Sequence, residues 1–203
     1  METNKKIAII DAGNGNVESI KNILNVIGFD SDLVSDSKNL HLYKLIILPG
    51  VGAFDPVITN LEQTGFFDYV KNIHKDQFLL GICVGMQILV SNSEEGVKKG
   101  LNLIPGITKK FPKKISFKLP HLGWNTVNRN RNNLFDLPKK FYFTHSYYVE
   151  TSSEFIIADT NYNIEFPSFI TNNANIFGVQ FHPEKSHIHG KIFFKNFFNY
   201  IQV

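Results

Sequence analysis

Short apolar runs alternate with amphipathic segments through the first half of the chain. The runs carry few polar residues, as strands buried on both faces do, and the segments between them place apolar side chains at three- and four-residue spacing. The predicted strands are 6–11, 44–50 and 77–82, and the predicted helices are 17–27, 54–75 with a break near Gly65, and a segment that begins at Val84. Strands that alternate with helices in this way predict a parallel sheet covered on both faces.

From about residue 100 the pattern changes to short strands separated by turns. The predicted strands contain the segments GITKKF, WNTVN, FYFTHSYYVE, EFIIA, SFITN and IFGVQF. A last helix, about 187–201, carries a series of aromatic side chains that we expect to pack in the core. No linker or repeat divides the chain, so the sequence predicts one α/β domain over residues 1–203. We expect a mostly parallel or mixed central sheet with helices on both faces.

Composition excludes several classes of protein. The chain has 203 residues, of which 43% are hydrophobic and 19% are charged, and its formal net charge is +3. The lysines are dispersed and form no basic stripe with interleaved aromatic residues, so we expect no nucleic-acid partner. The first apolar run is too short for a secretory signal and no run reaches transmembrane length, which predicts no membrane association. A single cysteine suits a reducing compartment, and we expect a cytoplasmic protein.

The single cysteine, Cys83, lies between two glycines directly after an apolar strand, in the segment GICVG. A lone cysteine is most often a small buried hydrophobic residue. The same order of residues is also what a nucleophile on a strained strand-to-helix turn requires, because small neighbours let the backbone bend and a substrate approach. Cys83 is therefore a candidate nucleophile, provided that the chain supplies a base.

The segment GVQFHPEKSHIH offers that base. His182 and Glu184 are two residues apart at a predicted strand end, so their side chains project to the same side and can form a hydrogen bond. A carboxylate on one ring nitrogen fixes the tautomer and leaves the other nitrogen facing a nucleophile. A metal site built from His182, His187 and His189 is the alternative, but the spacing matches no recognised ligand set. We predict a triad of Cys83, His182 and Glu184, with no metal and no cofactor.

Two glycine-containing turns follow predicted strands. DAGNGN precedes a helix, but the dinucleotide-binding pattern requires a third glycine where Glu18 stands, so that pattern is not met. PGVG contains Gly50, Val51 and Gly52 and follows a parallel strand, where ligand sites form in open sheets. Its backbone N–H groups and that of Val84 are candidate donors to an oxyanion. Because glycine tolerates backbone angles that other residues avoid, we expect this turn to be able to flip.

GICVGMQ followed by a later FHPE resembles the class I glutamine amidotransferases of the triad type. PGVGAF, SEEG, HLGWN and FHPEKS narrow the resemblance to the glutaminase subunits of imidazole glycerol phosphate synthase, and it extends over essentially the whole chain. The resemblance implies a fold with a nucleophile elbow, and hydrolysis of glutamine to glutamate and ammonia. It implies a heterodimer with a (β/α)8-barrel cyclase subunit. That subunit uses the ammonia in histidine biosynthesis, making imidazole glycerol phosphate and an aminoimidazole carboxamide ribotide.

The same resemblance implies roles for individual residues. It assigns the nucleophile to Cys83 and the rest of the triad to His182 and Glu184. Glutamine would be bound by Gly52, Gln87, Glu95 and the backbone of Ser146 and Tyr147. Lys185 lies where the family contacts the cyclase subunit near the ammonia exit.

Three alternatives stay open at this point. Ala12 and His187 stand where the histidine-pathway subunits usually have other residues, and a paralogous glutaminase supplies ammonia for amidation of a bacterial surface sugar. A cysteine hydrolase of the same superfamily would also use a cysteine and a histidine. A non-catalytic binding module would be expected to lose Cys83 or His182, and both are present.

Overall fold

The structure is a computed structural model of the chain and describes residues 5–13, 15–112, 118–129 and 134–203. The strands are β1 (Lys5–Ile10), β2 (Asp32–Val34), β3 (Tyr43–Gly50), β4 (Phe78–Cys83), β5 (Asn92–Ser93), β6 (Ile107–Lys110), β7 (His121–Arg129), β8 (Lys140–His145), β9 (Tyr147–Glu150), β10 (Ile156–Asn161), β11 (Glu165–Thr171) and β12 (Ile176–Val179). The α-helices are α1 (Val17–Val26), α2 (Phe54–Gln63), α3 (Phe66–Lys71), α4 (Val84–Gln87) and α5 (His187–Ile201). Short 3-10 turns lie at Leu40–Leu42, Ser153–Phe155 and Pro183–Lys185.

A mixed sheet organises the described residues. Its strand order is β2-β1-β3-β4-β12-β11-β10-β7-β8. The first five strands run parallel to one another, and the pairings from β12 onward are antiparallel. A smaller sheet of order β5-β6-β9 lies beside it. The predicted α/β class with a mixed central sheet is confirmed, and the antiparallel pairs of the large sheet are all formed by strands that follow residue 100.

The local sequence accounts for most of these elements. The central strands β3 and β4 are almost entirely apolar because both faces of the sheet are covered. Gly65 has φ +72 and separates α2 from α3, which confirms the predicted break. In α5 the buried aromatic side chains recur at three- and four-residue spacing: Phe193, Phe194, Phe197 and Phe198. Full burial of one such ring contributes about 1.5–3 kcal/mol, so α5 is held by its apolar face.

The sequence predicts a helix that begins at Val84, and its expected length is wrong. The observed helix, α4, is a single turn that ends at Gln87. The carbonyl groups that would continue it are bonded elsewhere. The hydroxyl of Thr108 donates to the Gln87 carbonyl at 3.0 Å, and the Leu101 N–H donates to the Ile88 carbonyl at 2.8 Å. These longer-range partners satisfy the backbone and end the helix after one turn. In the part of the chain that is described, no helix has the length and apolar character needed to cross a membrane.

Candidate active site

Cys83 occupies a sharp turn at the end of β4. Its backbone has φ +57 and ψ −111, which is a strained conformation for a residue with a side chain. The turn fits because its neighbours are glycines: a Cβ on Gly85 would collide with the Leu48 carbonyl oxygen, and one on Gly81 would collide with the Gly85 carbonyl oxygen. The segment GICVG therefore forms the predicted elbow, and the thiol donates a weak hydrogen bond to the Thr144 carbonyl at 3.8 Å.

The order of strands brings His182 to this elbow. β12 pairs with β4 in parallel, with Val179 opposite Ile82, so the chain that leaves β12 emerges beside Cys83. The backbone N–H of His182 then donates a hydrogen bond to the Tyr142 carbonyl at 2.9 Å, which joins this segment to β8. The pairing of β12 with β4 brings the chain to the elbow, and the bridge to Tyr142 then fixes the backbone of His182.

Glu184 is brought to His182 by a 3-10 turn and not by the extended strand end that the sequence predicts. Residues Pro183–Lys185 form this turn, and the ring Nδ1 of His182 lies 2.8 Å from the Glu184 Oε1 atom. The side chains of both residues are 1% exposed. The predicted pairing is observed, but the geometric reason for it is wrong: proline at the start of the turn curls the chain and brings the carboxylate back.

The electrostatics of this pair favour a charged imidazole. Burial alone would lower the pKa of His182, but the Cys83 thiolate and the Glu184 carboxylate outweigh it and raise that pKa to about 10. The Nε2 atom of His182 is buried and has no hydrogen-bond partner among the described residues, and neither has the Glu184 Oε2 atom. Because this Nε2 atom lies next to Cys83 and is not engaged in another hydrogen bond with the described residues, it can exchange a proton with the thiol or with a bound molecule.

A cavity of about 320 Å³ opens at Cys83. The predicted site residues that line it are Val51, Gly52, Cys83, Val84, Gln87, Glu95, Ser146, Tyr147, His182 and Lys185. Glu184 is behind His182 and does not line it. The cavity is also lined by three residues that the sequence analysis missed, namely Pro120, Thr144 and His145.

Gly50 lies outside the cavity, unlike the other two residues of its turn. It is the last residue of β3, opposite Cys83 in the sheet, and a Cβ there would lie 2.5 Å from the Gly85 backbone nitrogen. Its absent side chain allows β3 and the elbow to touch. Gly52, by contrast, has φ +98 and faces the cavity, and Val51 beside it is 39% exposed.

The loop that carries Glu95 is fixed to the start of α2. The Phe54 N–H donates to Glu95 Oε2 at 2.9 Å. The carboxylate of Asp55 accepts the N–H groups of Val97 and Lys98, each at 3.0 Å. Burial raises the pKa of Glu95, and the nearby Asp55 adds to this while the Phe54 hydrogen bond opposes it. The carboxylate of Glu95 is thereby held at the edge of the cavity.

Gln87 is held on the opposite side by two acceptors. Its Nε2 atom donates to the Tyr147 carbonyl and to the Gln180 Oε1 atom, both at 3.0 Å. Gln180 in turn directs its own Nε2 atom to the Cys83 sulfur at 3.7 Å. Gln180 is a site residue that was not predicted from the sequence. The available signal was a polar residue two positions before His182, at the end of an otherwise apolar strand.

Lys185 lines two cavities. One is the cavity at Cys83, and the other, of about 300 Å³, is lined by residues of α1 together with Glu184 and His187. His187 stacks on Trp124, with ring centroids 5.7 Å apart. In the described ranges no group of three or more histidine, cysteine or acidic side chains is arranged to hold a metal ion.

The chain is similar to proteins of one family. The family model described as glutamine amidotransferase class-I matches residues 8–200. A protein of Methanococcus maripaludis named imidazole glycerol phosphate synthase subunit HisH 2 is 46% identical over 199 residues, covering 94% of this chain and 98% of that protein. The subunit HisH of Leptospira borgpetersenii is 43% identical over 201 residues, with the same coverage. The fold is similar to that of PurLQS from Thermotoga maritima over 98% of this chain and 100% of that one, with a TM-score of 0.72 at 20% identity.

Proposed function

Because the chain belongs to the class I glutamine amidotransferases, and within them to the HisH subunits, we propose that it hydrolyses glutamine and supplies the ammonia to a cyclase subunit of imidazole glycerol phosphate synthase. The observation that carries the proposal is the convergence of Cys83, on a strained turn, with the buried His182–Glu184 pair in one cavity. The two relatives from Methanococcus and Leptospira carry the name of that synthase, which favours the histidine-pathway acceptor over a surface sugar.

The triad divides the chemistry into two steps. His182 first takes the thiol proton of Cys83, the thiolate sulfur attacks the carboxamide carbon of glutamine, and the His182 imidazolium gives the proton to the leaving ammonia. Water then hydrolyses the glutamyl thioester, with His182 acting as the base. Glu184 accepts the Nδ1 proton of His182 and stabilises the imidazolium, so that Nε2 faces the reacting atoms.

Substrate binding uses the walls of the cavity. Glu95 presents a carboxylate to the glutamine ammonium group, and Gln87 with the backbone of Ser146 and Tyr147 holds the rest of the head group. The developing oxyanion is bound by backbone N–H groups of the turn at Val51 and Gly52 and of Val84.

Replacement of the nucleophile tests the assignment. Cys83→Ala should abolish glutamine-dependent product formation in a mixture with the cyclase subunit, and ammonium-dependent formation should persist because that chemistry belongs to the partner. Retained glutamine hydrolysis in Cys83→Ala would overturn the assignment. A diazo-ketone analogue of glutamine should label Cys83 and no other residue.

Replacement of the orienting carboxylate, Glu184, should slow glutamine hydrolysis less than replacement of the base, His182. Glu184→Gln should slow glutamine hydrolysis by about tenfold to ten-thousandfold, and His182→Ala should slow it further. Glu154→Gln is the matched control, since that carboxylate is exposed and does not line the cavity. Wild-type turnover in Glu184→Gln would show that the carboxylate is not coupled to His182.

The turn at Gly52 is where the partner controls the rate. We expect the turn to direct a carbonyl to the oxyanion position in the isolated chain, and we expect docking of the acceptor-loaded cyclase subunit to turn an N–H inward. One such donor is worth about 100- to 1,000-fold in rate. Gly52 has φ +98, so Gly52→Ala should remove most of the stimulation by the partner. Gly28→Ala is the control, because Gly28 has φ +88 and lies away from the cavity; equal stimulation in both variants would exclude a flip at Gly52.

A further inference from the structure

A buried chain of polar groups runs from β7 to the wall of the cavity. His121 and His145 are opposite each other in the antiparallel pair of β7 and β8. The Asn125 Nδ2 atom lies 3.1 Å from His121 Nε2, and His121 Nδ1 lies 2.9 Å from His145 Nε2. His145 Nδ1 lies 2.7 Å from the Tyr147 carbonyl oxygen. We call these four groups the relay.

Only one arrangement of protons satisfies the relay with neutral rings. The Tyr147 carbonyl can only accept, so His145 carries its proton on Nδ1 and its Nε2 accepts. His121 must then donate from Nδ1, which leaves its Nε2 to accept from the Asn125 amide. The second amide hydrogen of Asn125 goes to the Asn161 carbonyl at 3.0 Å. Along the relay, each hydrogen bond is therefore donated in the direction of Tyr147.

The surroundings of the two rings keep them neutral. His121 is 2% exposed and His145 is 6% exposed. Burial lowers the pKa of His121 to about 4 and that of His145 to about 3, and proximity to His182 contributes to the second shift. The ring of His121 stacks on Tyr162 and on Phe143, with centroids 4.0 Å and 4.7 Å away. These contacts fix the ring plane as well as the charge.

The relay ends on a carbonyl that also holds Gln87. The Tyr147 oxygen accepts from His145 Nδ1 and from Gln87 Nε2, so both of its lone pairs are used. Ser146 and Tyr147 lie in the cavity wall between these contacts. A change in the orientation of His145 would therefore disturb the peptide plane and Gln87 together.

We propose that His121 and Asn125 are positioning residues for the glutamine site, acting through His145 to fix the Tyr147 carbonyl and the Gln87 side chain. The proposal rests on the proposed glutaminase function. It assigns a role to residues that do not line the cavity: His121 donates to His145 Nε2 and so holds the ring in the orientation that reaches the Tyr147 carbonyl, and Asn125 donates to His121 Nε2 and so favours the His121 tautomer that can donate. Without the donor from His121, the His145 ring can rotate. The Tyr147 carbonyl and the Gln87 side chain are then less well ordered, and glutamine binds more weakly.

Three variants separate this role from packing. His121→Phe keeps the ring between Tyr162 and Phe143 but removes the donor to His145. His121→Asn keeps a donor at the position of Nδ1. Phe166→Leu is the control for packing, because the Phe166 ring contacts both histidines, at centroid distances of 5.8 Å and 5.2 Å, and has no polar group.

Glutamine binding is measured by calorimetry with the full chain carrying Cys83→Ala, so that no turnover occurs. We expect His121→Phe to weaken the Kd for glutamine about tenfold, which is the loss of one orienting hydrogen bond. His121→Asn and Phe166→Leu should stay within about threefold of the parent. In the chain with Cys83 intact and its cyclase partner, His121→Phe should raise KM with kcat changed less than about threefold.

Two results would overturn the relay while leaving the proposed function intact. One is an unchanged Kd in His121→Phe, and the other is equal weakening in Phe166→Leu and His121→Phe, which would make the effect one of packing. A parent protein that binds no glutamine would overturn the proposed function together with the relay.

Discussion

The strain at Cys83 predicts an unusual order of stability among variants at that position. With φ +57 and ψ −111, a residue that carries a Cβ costs of the order of 1–3 kcal/mol there. Glycine does not bear that cost. Cys83→Gly should therefore be about as stable as Cys83→Ala, although a buried strand position normally loses stability when alanine is replaced by glycine.

The magnitude follows from three contributions. In an ordinary strand, replacement of alanine by glycine costs about 0.5–1 kcal/mol in backbone entropy and about 0.8 kcal/mol for the buried methyl group. Relief of about 1–3 kcal/mol of strain at position 83 offsets this cost, so the glycine variant should range from about 0.8 kcal/mol less stable to about 1.7 kcal/mol more stable than the alanine variant. Ala8→Gly is the matched control, because Ala8 is fully buried in β1, and it should lose about 1.5 kcal/mol.

Urea unfolding followed by circular dichroism, with thermal unfolding as a check, measures the difference. At this chain length 1 kcal/mol corresponds to about 2–4 °C in Tm. Both variants at position 83 lack the thiol, so catalysis does not enter the comparison. If glycine at position 83 is less stable than alanine by the same amount as at position 8, the backbone at Cys83 is not strained and the reasoning is wrong.

Three further predictions concern the surroundings of the site. Gly85→Ala should fail to fold or lose more than about 3 kcal/mol, because the new Cβ would strike the Leu48 carbonyl, and Tm and soluble yield measure this. Asp55→Asn should raise the KM for glutamine about tenfold with kcat unchanged, since an amide cannot accept both backbone N–H groups of its loop; an unchanged KM would contradict that role. Because folding lowers the pKa values of His121 and His145, the unfolded chain binds protons that the folded chain does not between about pH 6.5 and 4. Stability should fall as the pH is lowered through that range, by up to about 3 kcal/mol for one ring, and the pH dependence of urea unfolding should be shallower in His121→Phe.

The elements that rest on local pattern are predictable from the sequence. The apolar runs of β3 and β4, the break at Gly65 and the bounds of α5 follow from side-chain periodicity and glycine chemistry, and they agree with the structure to within one residue. The elbow at Cys83 follows from its two flanking glycines, since no larger side chain fits against the neighbouring backbone.

Features that depend on distant partners could not be predicted in this way. The helix after Val84 is short because Leu101 and Thr108 bond to its carbonyls, and nothing within the helical segment signals them. His121 and His145 meet only through the register of β7 and β8, 24 residues apart in the chain. Glu184 reaches His182 through a turn geometry that a strand pattern does not contain.

The pairing of β4 with β12 has a consequence for the order of events during synthesis. Cys83 is translated 99 residues before His182, and the two are brought together only when β12 takes its place beside β4. Pairing over such a separation closes a long loop, which is slow compared with formation of the local strand–helix units. On the ribosome the cysteine therefore spends its first seconds without its neighbouring histidine. A growing chain or an incomplete fragment that contains Cys83 but not yet His182 has a nucleophile without its base, so it releases no ammonia.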